Sequence, residues 1–248
     1  MLSLDKKIAL VTGASGGIGG ETAILLAKLG AEVYIHYNNS EDQAIHVLEQ
    51  IQGIGKDAHL IKCDISHAEE IKEMFFKVKK ESGKLDILIN NAGTWKSAYI
   101  KFLQESVWDS VFDVNLKGVA MCIKYSLNLL MKSKESIIIN VASIAAQNTA
   151  IAQVTYNASK AGLISLTKNA ARELAPFGIR VNAVSPGPVS TNMRIITEAD
   201  QVELNKRIPL GRIAYPIDIA NVIALLCSPM AQYITGQELV VDGGLTLV

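Results

Sequence analysis

One short segment limits this chain more than any other. An apolar run at 8–12 feeds directly into Thr12-Gly-Ala-Ser-Gly-Gly-Ile-Gly19, where a helical pattern begins. Gly13 permits a tight turn, Gly17 lets backbone approach a bound group closely, and Gly19 lets the helix lie against the strand. The start of that helix offers free N–H groups and the positive end of its dipole, a setting suited to phosphate. Glycine turns arise for many reasons. One with a strand before it and a helix after it points to a dinucleotide diphosphate. The spacing here is Gly-x-x-x-Gly-x-Gly, not Gly-x-Gly-x-x-Gly.

The rest of the chain continues the same alternation. Short β-branched runs at 8–12, 32–37, 59–63, 87–89, 137–141, 180–185 and 239–241 predict strands. Amphipathic patterns at 19–29, 41–51, 68–80, 106–131, 155–174 and 217–226 predict helices between them. Several strands are apolar on both faces, as expected where helices cover both sides of a parallel sheet. The expected fold is therefore α/β: one doubly wound Rossmann domain over residues 1–248, with about seven parallel strands. Residues 189–215 are the least periodic and contain Pro209 and Gly211, which suggests a flap over the strand ends or an ordinary surface connection.

Composition removes several other classes. Hydrophobic residues make up 49% of the 248 and charged residues 19%, enough to build a large core. The 24 basic and 24 acidic side chains balance, which argues against a nucleic-acid surface. Three separated cysteines, Cys63, Cys122 and Cys227, read as small buried hydrophobes in a reducing compartment. The four histidines lack metal-ligand spacing, so no metal site is expected. No segment reaches membrane-spanning length and the first residues do not form a signal peptide, so a cytoplasmic protein is expected.

Tyr156 and Lys160 stand four apart in a helical pattern and share one face. A free tyrosine titrates near pH 10, too high for ready proton exchange at neutrality. A nearby ammonium favours the phenolate and is expected to lower that value. Ser143 follows the run at 137–141 at its carboxyl end, where open α/β sheets bind ligands. Its hydroxyl can donate to an oxygen that gains negative charge. Singly, each of these residues has a plain structural alternative: a packed phenol, a solvated lysine, a serine cap.

Taken in order, the chain resembles the short-chain dehydrogenase/reductase family. The residues that carry the likeness are Thr12–Gly19, Asp64, Asn90-Asn-Ala-Gly93, Asn115, Ser143, Tyr156-x-x-x-Lys160 and Pro186-Gly187, and it runs from Lys6 to the end. It implies hydride exchange between a nicotinamide dinucleotide and a carbonyl or alcohol carbon, with Tyr156 as proton donor, Ser143 steadying the oxygen, and Asn115 holding a water that continues a relay through Lys160. Lys160 would also bond the nicotinamide ribose. The implied cofactor contacts include Gly13, Ser15, Gly17, Ile18 and Gly19 at the turn. Asp64 would bond the adenine amine, with Ile65 beside it; a helix cap at Asp64 or Ser66 is the alternative. Asn91, Ala92 and Gly93 would wall the adenosine ribose. Pro186, Gly187, Val189 and Thr191 would approach the carboxamide.

The second strand ends at Tyr37, followed by Asn38, Asn39 and Ser40. NAD-selective relatives commonly place an acid there. Its absence favours NADP, with NAD as the alternative. Gly16, where many NADP-dependent relatives carry Arg or Lys, and the nearby acids Glu41 and Asp42 pull the other way.

The C-terminal motifs Ile208-Pro-Leu-Gly-Arg212, Tyr233-Ile-Thr-Gly236 and Val241-Asp-Gly-Gly244 look most like bacterial 3-oxoacyl-(acyl-carrier-protein) reductases. The resemblance implies a β-keto thioester substrate on an acidic carrier protein, docked beside the site near Lys132 and Lys134, and a homotetramer. Phe177 and Trp95 stand where such proteins commonly carry arginine. A same-mechanism enzyme acting on a small ketone, sugar or alcohol is the alternative, and a non-catalytic dinucleotide sensor is a third. The apolar end at 244–248 suits burial against a partner or on its own sheet.

Overall fold

The computed structural model describes residues 2–191 and 197–247. Residues 192–196 of the 189–215 segment and the last residue of the C-terminal tail lie outside that description. Seven strands, β1 (Ile8–Val11), β2 (Glu32–Tyr37), β3 (Ala58–Lys62), β4 (Ile87–Asn90), β5 (Ser136–Val141), β6 (Ile179–Pro186) and β7 (Glu238–Val241), form one sheet in the order β3-β2-β1-β4-β5-β6-β7. Every neighbouring pair is parallel. Order reverses between β1 and β4, so a crevice opens above their carboxyl ends.

The strands divide their side chains between two cores because successive residues face opposite ways. Val33, Ile35, Ile137 and Ile139 pack beneath α1 (Gly17–Lys28), α2 (Glu41–Gly53) and α8 (Pro216–Cys227). Tyr34, Ile61, Leu88 and Ile138 pack against α3 (Ala68–Glu81), α5 (Val119–Leu130) and α6 (Val154–Leu174). Cys63, Cys122 and Cys227 are free and buried. Burial pushes the Cys63 and Cys227 thiols up to about 12, which leaves them inert near neutrality.

Two helical expectations need correction. The stretch 106–131 is not one α-helix but α4 (Glu105–Phe112), a π-helical turn at Asp113–Gly118, and α5. The widened turn buries Asn115, and a Cβ on Gly118 would press into the carbonyl of Ile65. An apolar periodicity that runs through such a turn does not reveal it. The 189–215 segment, read as aperiodic, contains α7 (Glu198–Arg207). Thr197 caps this helix by accepting from the Asp200 amide at 3.1 Å. Its polar sequence hides it from a hydrophobic pattern. A bridge between Val189 and Ala214 closes the segment at its base.

The C-terminal residues settle on that base. A Cβ on Gly243 would lie 2.7 Å from Ile208 Cγ2, and one on Gly244 3.0 Å from Pro209 Cγ. Leu247 nevertheless remains 86% exposed, so the tail is only partly satisfied by its own chain.

Candidate active site

The glycine turn is held from both sides. Thr12 Oγ1 accepts from the Asn91 and Ala92 amides at 2.9 and 3.0 Å. The Asn91 side-chain amide returns bonds to the carbonyls of Thr12 and Gly13 at 2.9 and 3.0 Å. Gly13 and Gly17 adopt φ of 63° and 56°, in the left-handed region. A Cβ on Gly13 would stand 2.8 Å from Ala92 Cα, so the two backbones touch there. α1 begins at Gly17 with no side-chain cap, which leaves its first amides for an anion. Turn, helix start and strand ends together fit a dinucleotide diphosphate.

A cleft of about 540 Å³ opens beside this turn, over the ends of β4, β5 and β6. Ile18, Asn91, Gly93, Ser143, Tyr156, Lys160, Pro186, Gly187, Val189 and Thr191 all border it. Gly13, Ser15, Gly17, Gly19 and Ala92 do not line it. Asn115 stands behind it: a Cβ on Gly93 would meet Asn115 Oδ1 at 3.3 Å and Lys160 Nζ at 3.6 Å.

Ser143 caps a short 3-10 turn at Ile144–Ala146, accepting from the Ala145 amide at 3.1 Å. That bond uses an acceptor lone pair and leaves the hydroxyl proton for the cleft. Lys160, 4% exposed, donates to the Val141 carbonyl at 2.7 Å and lies 5.8 Å from the centre of the Tyr156 ring. Burial brings its ammonium down to about 8. The expectation that Lys160 lowers the Tyr156 pKa is not met. Burial holds the phenol above its ordinary value, with the Ser143 hydroxyl beside it pulling the other way. The ammonium is directed at a carbonyl of β5 instead, and burial of the phenol prevails. Tyr156 is thus a firmly protonated acid near neutrality.

Asn115 uses its side chain on the neighbouring backbone. Oδ1 accepts from the Thr94 amide at 2.8 Å, and Nδ2 donates to the Thr94 carbonyl at 2.9 Å and to Ser159 Oγ at 3.1 Å. Its amide therefore pins the loop after β4 against α6.

The second cluster lies at the ends of β2 and β3. Asp64 caps no helix: His67 is the N-cap of α3, and Asp64 Oδ1 accepts from the Ser66 amide and hydroxyl at 2.9 and 2.7 Å. Burial opposes its ionisation, but these bonds and one from Asn38 hold the carboxyl below its usual range. Tyr37 is buried, and its phenol is raised by that burial and by the Glu41 carboxylate it bonds. Asn39 is exposed and Ser40 is the uncapped N-cap of α2. Ile65 is buried under the π turn. Gly16 is extended, and a Cβ there would meet nothing within 4 Å.

The flap expected at 189–215 supplies part of the outer wall, whose individual side chains sequence reasoning did not name. Trp95, Asn148 and Gln153 border the cleft, as do Asp200, Glu203, Leu204 and Arg207 of α7. Sequence reasoning also placed Lys132 and Lys134 beside the site. They precede β5, at the far end of a six-residue strand from Ser143, about 20 Å away at the usual rise per residue. Lys132 is further tied to the Gly83 carbonyl at 2.9 Å. Among the described residues no cluster of His, Cys, Asp and Glu could hold a metal, and no helix is long and apolar enough to cross a membrane.

Comparison with known proteins extends over the whole chain. The family profile described as enoyl-(acyl carrier protein) reductase matches residues 13–246. A 3-oxoacyl-[acyl-carrier-protein] reductase of Staphylococcus aureus is 42% identical over 243 residues, covering 96% of this chain and 98% of that protein. One from Synechocystis is 37% identical over the full length of both. Among solved structures, a dehydrogenase/reductase from Sinorhizobium meliloti superposes with a TM-score of 0.94 at 36% identity, covering 98% of this chain and 96% of that one. A gluconate 5-dehydrogenase from Burkholderia cenocepacia in complex with NADP and tartrate gives 0.93 at 29% identity, covering 100% and 98%. Likeness of this extent, in sequence and in backbone, makes the chain a member of the short-chain dehydrogenase/reductase family, a nucleotide-dependent oxidoreductase of the carbonyl–alcohol couple.

Proposed function

We propose that the protein reduces the 3-keto group of an acyl thioester carried on an acyl carrier protein, with NADPH as reductant. The observation that carries this reading is full-length identity of 37–42% to several 3-oxoacyl reductases, combined with a cleft that places Ser143 and Tyr156 together. NADPH, when bound, supplies the hydride. Tyr156 holds the proton that the new alcohol oxygen receives. Ser143 donates to the same oxygen as its charge grows. Lys160 keeps a positive charge at the rear of the cleft at neutral pH and can return a proton toward the phenol. Asn115 fixes the loop carrying Thr94, which keeps Gly93 close to the lysine.

Tyr37 in place of an acid at the end of β2 supports NADP over NAD, and the turn residues with Asp64 and Thr191 are its proposed contacts. The exposed side chains of Tyr99, Ile100, Phe102, Tyr233 and Leu247 support assembly into a homotetramer. NADPH consumption with an acetoacetyl thioester, a crotonyl thioester and a keto sugar acid tests the reading. Turnover of the acetoacetyl thioester is expected. Preference for the crotonyl thioester would move the activity to a carbon–carbon double bond, and preference for the sugar acid to a small-molecule dehydrogenase. Either result overturns the proposal.

A further inference from the structure

His36 lies one residue before the end of β2 and is 2% exposed. Its Nδ1 is 2.9 Å from the Gly13 amide nitrogen, and its Nε2 is 2.9 Å from the Cys63 carbonyl oxygen. An amide N–H can only donate and a carbonyl can only accept. Nδ1 therefore offers a lone pair and Nε2 carries the proton. The ring is neutral, with both nitrogens in use. A third tie runs through the backbone, where the His36 carbonyl accepts from the Ala14 amide at 2.8 Å.

The ionisable side chain acting on the ring is Asp64, just past the end of β3. Residues 12–20 carry no ionisable side chain. Burial brings the imidazole down to about 4, so the neutral form persists throughout the range in which the enzyme would work. That form is the one able to hold the amide: an imidazolium or an aliphatic side chain would release it and leave a buried N–H unpaired. Gly13 is the first residue of the turn and adopts a left-handed φ of 63°. A turn fixed at its first amide loses less freedom when an anion arrives, and binding strengthens accordingly.

We propose that His36 is a positioning residue for the dinucleotide: it locks the Gly13 amide so that the amides from Ser15 onward are aimed at phosphate before the ligand binds. The inference rests on the dinucleotide occupying this turn. Two substitutions separate it from a general role in holding strands together. His36→Asn places Oδ1 as many bonds from Cα as Nδ1 and keeps the acceptor for Gly13, but it gives up the bond to Cys63. His36→Gln reaches Cys63 and gives up the acceptor.

The readouts are Kd for NADPH and NADP+ by calorimetry, kcat at saturating NADPH, and Tm. The Asn variant is expected to bind within about twofold of wild type, and the Gln variant about tenfold more weakly, the loss falling on Kd and not on kcat. Equal Kd values for the two variants, or losses that follow Tm alone, overturn the proposal. If the wild-type protein binds neither NADP+ nor NAD+, the dinucleotide reading falls as well. Should the Gln variant not fold, hydrogen exchange on the wild-type protein decides. The Gly13 amide is expected to be as protected as those of β1, and exchange as fast as at Gly16 overturns the proposal.

Discussion

The two walls of the cleft are built to different standards. On the turn side, Thr12, Gly13, Asn91, Ala92 and His36 are cross-bonded within a few ångströms, and glycines sit where a Cβ would collide. On the α7 side, Val202, Glu203, Lys206 and Arg207 are exposed, and the pairing between Glu203 and Lys206 is 3.7 Å long at the surface. The first wall has nearly no freedom to vary, because each residue answers to backbone. The second answers mostly to solvent and to whatever enters the cleft. A fixed cofactor half and an adjustable substrate half follow from that difference.

The most severe test removes the acid from between the walls. Tyr156→Phe is expected to lower kcat about 10³-fold while Kd for NADPH stays within about twofold, measured by NADPH consumption and calorimetry. Substantial residual turnover would show that another group delivers the proton.

Acid should act on the rigid wall first. The folded-state pKa of His36 is about 4 against 6.5 for the free group, so the unfolded chain takes up the proton first. Stability from this residue is complete above pH 6.5 and is lost as pH falls toward 4, by about 3 kcal/mol. Urea unfolding at pH 7.5 and 4.5 should show a smaller acid loss in His36→Asn than in wild type. Equal losses would mean that the ring already carries a proton or is solvated.

Gly16, on the rim of the same wall, gives a smaller effect. It is extended and open, so Gly16→Arg introduces no strain and brings a cation near the strand end that lacks an acid. NADPH is expected to bind about tenfold tighter and NADH unchanged, which corresponds to about 1.4 kcal/mol. An equal gain for both cofactors would place the new cation at the diphosphate and not at the 2′-phosphate.

The adjustable wall should barely register in stability. Lys206→Ala on α7 is expected to change unfolding free energy by less than about 0.5 kcal/mol, as for an exposed pair. Arg207→Gln should shift KM for the carbonyl substrate with kcat nearly unchanged. A collapse of stability in either variant would erase the contrast between the walls.

How much of this the sequence discloses follows the same division. β2 ends where the run at 32–37 says it should, because both faces of the strand are buried. The turn was legible because glycine there is a steric requirement. Tyr156, Lys160 and Ser143 were legible by spacing, but their electrostatics were not: the direction in which Lys160 spends its proton depends on the Val141 carbonyl, a backbone atom that no pattern reveals. The π turn stayed hidden because its apolar residues keep a helical spacing on either side of Asn115. α7 stayed hidden because Val202 and Leu204 are too few among polar neighbours to mark an apolar face. His36 left one faint signal, an imidazole in the buried part of β2, and its partners come from the ends of two other strands.

Gly243 and Gly244 are seated on Ile208 and Pro209, directly after the last turn of α7, and wedge against it. Lengthening or trimming the chain at that end is expected to alter how widely the substrate entrance gapes. An affinity tag fused after Val248 would then change apparent specificity before it changed expression or melting.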